Sequence, residues 1–151
     1  MDSVQKVISY EVDMVRELVR CSENADFLAR QPWYLQNAIT ESLVLHTRIL
    51  VEVFLSDERK SSDKRHSDDI SLCDLTEADT TEVIEELRRS YGSNNDPTSV
   101  RWQFNKMMAH ATTNRGASHD YGPFLKRIFP ALFKVIDLLE KEHSEQRNLN
   151  S

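Results

Sequence analysis

Trp33 to Leu55, WYLQNAITESLVLHTRILVEVFL, is the most apolar run in the chain, and its reading decides the fold. Pro32 stands just before it, where its missing amide hydrogen costs nothing because a first-turn N–H has no helical partner. At helical spacing, Leu35, Ile39, Ser42, His46, Leu50 and Val53 fall in one stripe, and Asn37, Glu41, Arg48 and Glu52 in another on roughly the opposite side. The pattern predicts a long central helix. His46 lies within the apolar stripe, as a hydrogen-bonded core residue or as a substrate ligand. Arg48 has Glu41 and Glu52 one or two turns away, so it is either half of a surface ion pair or a groove cation.

Working outward, the same three- and four-residue spacing recurs. Asp2 to Cys21 reads as a first helix through Val4, Val7, Ile8, Val15, Leu18 and Val19. Thr76 to Tyr91 reads as another, acid-rich at its start as the helix dipole favours. Asp96 is placed to cap a helix running from Pro97 to Ala111. Pro123 to His143 is the last, with a kink expected at Pro130, which removes the bond to the carbonyl of Lys126. Residues 57–69, DERKSSDKRHSDD, hold charge of both signs and no apolar side chain, which reads as a mobile loop. The polar tail, 144–151, is expected to fray. Glycine and proline number only 3 and 4. These elements predict an all-α, single-domain antiparallel bundle of about five helices over residues 1–151.

A chain of 151 residues can build one contiguous core. It has no run of about 18 apolar residues to span a bilayer and no secretory leader, so the expectation is a cytoplasmic protein without membrane partners. Cys21 and Cys73 are isolated in sequence and read as free thiols. The net charge of −6 is uneven: residues 97–136 hold six bases and one acid, +5, which leaves −11 for the rest. A local basic region of that kind can hold an anion.

The chemistry concentrates in residues 104–115, FNKMMAHATTNR. Gln103, Lys106 and His110 share one helical face, and Arg101, Asn105 and Thr112 another. Phosphate loops, nucleophile elbows, zinc helices and calcium loops are absent. His110, His119 and Asp120 match no standard metal spacing, so neither metal nor cofactor is expected. What remains is a histidine beside an amide, a lysine and an arginine, the groups that orient a phosphate, stabilise its charge and move a proton near neutral pH.

The order of LHTRILVEVF (45–54), DDISLCDL (68–75) and NKMMAH (105–110), followed by Arg115, resembles the HEPN superfamily (higher eukaryotes and prokaryotes nucleotide-binding). It is closest to the stand-alone prokaryotic branch of abortive-infection and toxin systems, which shows H-x-R-x-L in one helix and N-K-x-x-A-H in another. The resemblance spans roughly Trp33 to Glu140. It implies a homodimeric helical bundle and, in active members, metal-independent RNA cleavage at a groove shared by two chains, with an antitoxin or defence-system partner. His110 matches the family's histidine. Counting back to the family's arginine gives Asn105, Phe104 and Gln103, so the positive charge falls to Lys106, Arg115 or Arg48. On that reading His110 is the general acid or base, Asn105 orients the phosphate, Lys106 and Arg115 stabilise its charge, and Arg48, Arg101 and His46 bind RNA or nucleotide. The alternative is a non-catalytic dimeric binding or regulatory module, or a nucleotide sensor, with a degenerate site.

Overall fold

The computed structural model describes residues 3–56, 69–109 and 120–149. Among these there is no strand, and six α-helices follow in order: α1 (Ser3–Glu23), α2 (Ala25–Ala29), α3 (Trp33–Phe54), α4 (Thr81–Tyr91), α5 (Val100–Ala109) and α6 (Gly122–Leu149). The helix beyond the expected five is α2. Asn24 caps it by accepting the Phe27 amide at 3.0 Å. That cap turns the chain tightly from α1 into α3.

The hairpin made by α1 and α3 is the most extensive helix pairing in the fold. Glu11 and His46, which touch across it, lie almost equally far from the connection, so the helices run antiparallel. Ile8, Val12 and Val15 of α1 meet a buried side of α3 formed by Leu43, Val44, Leu50, Val51 and Phe54. This face is turned about a quarter of the circumference from the stripe that spacing favours, and Leu35 of that stripe is exposed. The reason is that α3 is gripped on two sides. α1 covers one, and α4, α5 and α6 reach the other.

Those three helices complete the core with Leu87 and Tyr91, Val100 and Phe104, and Ile128, Leu132, Val135 and Ile136. Each fully buried leucine or isoleucine contributes about 1.5–3 kcal/mol relative to exposure. α4 packs along α6, and Lys134 bonds both oxygens of Glu86 across that contact at 2.8 and 2.7 Å. Arg16 likewise forks onto Glu140 at 2.7 and 2.9 Å, tying α1 to α6.

Three boundaries differ most from expectation. α4 starts at Thr81 rather than Thr76, because residues 72–74 form a 3₁₀ turn closed by a Ser71–Asp74 capping box. α5 starts at Val100, and its cap is Ser99, whose hydroxyl accepts the Trp102 amide at 3.1 Å, while Asp96 accepts from Thr98 instead. α6 continues through Pro130 and past His143 to Leu149, with Ser144 donating to the Glu140 carbonyl. His110, Arg115 and the loop 57–68 lie outside the described residues.

Candidate functional site: an arginine groove between α3, α4 and α5

α3, α4 and the start of α5 border a groove of about 1140 Å³. It takes Leu45, Arg48, Ile49 and Glu52 from α3, Arg88 from the last turn of α4, Gly92 and Ser93 from the turn that follows, and Arg101 from the first turn of α5. Arg48 and Arg101, distant in sequence, thus come to one place. Asp69 lines its rim.

The turn sets this geometry. Gly92 ends α4 with φ +77°, a left-handed conformation that side chains disfavour, and a Cβ there would stand 2.8 Å from the Ser99 Cβ. Ser99, almost wholly buried, reaches the carbonyls of Ser93 and Asp96 with its hydroxyl. α5 is thereby drawn against α4, with Arg101 beside Tyr91. Arg127 of α6 braces the same turn by donating to the Thr98 carbonyl at 3.0 Å.

Tyr91, buried in the core, backs two of the lining residues. Its ring packs edge-on against Phe104, its hydroxyl donates to Glu52 Oε1 at 2.9 Å, and the guanidinium carbon of Arg101 lies 5.7 Å from the ring centroid. Burial pushes the phenol well above the ordinary tyrosine range, and the negative charge and hydrogen bond of Glu52 add to this, against the smaller opposing pull of Arg48 and Arg101. Tyr91 is therefore a permanent donor that holds Glu52. The other Glu52 oxygen faces Arg101 at 3.7 Å.

His46 does not line the groove. Its Nδ1 is 2.7 Å from Glu11 Oε2, both side chains are buried, and Tyr10 meets the ring edge-on at a centroid distance of 6.0 Å. This is the hydrogen-bonded core arrangement rather than an open ligand position. Asn105, half-buried one turn beyond Arg101, donates to Asn94 at 2.9 Å, and its own Oδ1 is buried with no hydrogen-bond partner among the described residues. Lys106 is exposed on α5 and does not line the groove. Of the described bases in residues 97–136, Lys134 is engaged by Glu86 and Arg127 bonds the Thr98 carbonyl.

Sequence reading missed Arg88 and Tyr91. A basic residue in a last helical turn is already accounted for by the dipole, which conceals a second role for Arg88. Tyr91 reads as an ordinary helix end, and its pairing with Glu52 needs the fold. Among the described residues there is no group of three histidine, cysteine or acidic side chains able to hold a metal, and no helix is long and apolar enough to cross a membrane. No family model, curated protein or solved structure matches the chain.

Proposed function

We propose that this chain is a HEPN-like RNA-binding defence protein whose groove between α3, α4 and α5 holds phosphate, and which cleaves RNA without a metal. The observation that carries the reading is the convergence of Arg48, Arg88 and Arg101 on one groove in an acidic protein. Clustered guanidiniums are the groups suited to RNA backbone phosphates. α5 leads from that groove into the NKMMAH motif, and its last residue, Ala109, directly precedes His110. In the proposed chemistry His110 moves the proton, Asn105 orients the phosphate, and Lys106 or Arg115 offsets its charge.

The reading extends to a homodimer, with a defence-system protein as a further partner. Val7 and Tyr10 of α1 and Tyr34 and Leu45 of α3 are exposed apolar side chains. Leu45 lies near the middle of α3, where a two-fold axis would set it against its own copy. Sedimentation should give a dimer that Leu45→Asp converts to monomer.

Purified protein is expected to cleave unstructured RNA in the presence of chelator, and His110→Ala to abolish cleavage while leaving binding intact. Equal cleavage by that variant, or none by the native chain, defeats the enzymatic reading. A non-catalytic binding or nucleotide-sensing module is the second reading, favoured by two carboxylates, Glu52 and Asp69, in the groove and by the Asn105–Asn94 bond. It predicts RNA or nucleotide retention without turnover.

A further inference from the structure

Arg101 carries unused hydrogen-bonding capacity. Its Nε is buried and bonds to nothing among the described residues. Its Nη2 is 3.7 Å from Glu52 Oε2, an ion pair longer than a hydrogen bond. The carboxylate cannot easily close that gap, because its other oxygen is held by the Tyr91 hydroxyl at 2.9 Å. Nor does the Tyr91 ring use the donors, since it lies against the guanidinium at 5.7 Å as a π-face. The outer edge of the guanidinium, its two Nη nitrogens, makes no hydrogen bond among the described residues, and with the side chain 40% exposed it can be reached by two oxygens of a phosphate.

We propose that this edge of Arg101 is a clamp for a phosphate oxyanion, with Arg48 as a flanking cation and Arg88, itself paired with Glu85, at the groove's edge, and that Glu52 is a built-in competitor. The proposal rests on the reading of the groove as a phosphate-binding surface. Glu52 holds Arg101 in place while the groove is empty. Because Tyr91 keeps Glu52 where it is, an entering phosphate takes over the guanidinium without any rearrangement of α3. The retained carboxylate then repels the bound anion, which weakens binding and favours release.

Pyrophosphate is the probe, titrated calorimetrically into the full-length chain at low salt. Arg101→Lys, which keeps the charge and loses the planar edge, is expected to weaken binding at least tenfold. Glu52→Gln keeps an amide oxygen for Tyr91 and is expected to tighten binding about tenfold, a gain that shrinks as salt rises. No binding by the native chain, or an Arg101→Lys variant that binds as well, overturns the clamp. Weaker binding by a folded Glu52→Gln variant overturns the competitor role, since Glu52 would then be positioning Arg101. An RNA titration run alongside separates the two levels. Arg101-dependent pyrophosphate binding without RNA binding sustains the clamp and removes the RNA reading, whereas RNA binding indifferent to Arg101→Lys removes the clamp alone.

Discussion

Replacing Glu11 and His46 singly and together gives a sharp test of the core between α1 and α3. The two side chains are 8% and 9% exposed and 2.7 Å apart, so water cannot readily replace either partner. Glu11→Leu leaves the imidazole nitrogen buried without its acceptor, a loss of about 1–3 kcal/mol. His46→Leu strands a carboxylate and should cost about 3 kcal/mol or more, because an unpaired buried charge is worse than an unpaired neutral group. The double variant strands nothing. It should lose less than the sum of the two, leaving a coupling energy of about 1.5–3 kcal/mol. For a chain of this size each single change would lower Tm by roughly 2–12 °C, and the double variant by clearly less than the two shifts added together. Urea unfolding of the four proteins, followed by circular dichroism, gives the cycle. Additivity within about 0.5 kcal/mol would refute the pairing. The same double variant probes function, since a folded protein that has lost RNA affinity would put His46 back among the substrate ligands.

Gly92→Ala should destabilise by at least about 1–2 kcal/mol, from its left-handed φ, with the 2.8 Å approach to Ser99 adding to the loss, as read by the denaturation midpoint. Ser99→Ala should cost about 1–2 kcal/mol by removing the cap of α5, and Asp96→Ala distinctly less, which thermal melts of the pair would order. The Arg16 fork holds the Glu140 carboxyl below the usual carboxylate range, chiefly through its hydrogen bonds and then its charge. A carboxylate with a depressed folded-state pKa stabilises the fold above its unfolded value of about 4.3, and that contribution disappears as pH falls through the folded value. Both groups are largely exposed, so the difference between native and Arg16→Met protein should stay below about 1 kcal/mol at pH 7 and vanish in acid, measured by unfolding across pH 2 to 7.

The all-helical fold was legible because α1, α3 and α6 each carry apolar residues at helical spacing over many turns. Less legible was which side of α3 is buried. A helix clasped from two directions has apolar residues around most of its circumference, and one stripe cannot locate the core. The start of α5 was misread because Asp96 and Ser99 are both good caps, and only the close Gly92–Ser99 approach decides between them. At the candidate site, Arg48 and Arg101 were identifiable as cations with some claim to a groove. Their common location was not, since it depends on a turn held by buried hydroxyl contacts. The weight given to His46 came from a motif, whereas its partner Glu11 sits 35 positions away on another helix.

The short capped connection through α2 also bears on how the chain acquires its shape. Only residues 24–32 separate the ends of α1 and α3, so closing that loop costs little chain entropy and the helices can zip from the turn outward. Every contact between them lies within the first 54 residues. The hairpin can therefore assemble on the ribosome before α4, α5 and α6 have emerged. The Arg16–Glu140 fork, spanning 124 positions, must wait for nearly the whole chain. The arginine groove is completed later than the hairpin that supplies its α3 wall, because Arg88 and Arg101 join Arg48 only once α4 and α5 have docked.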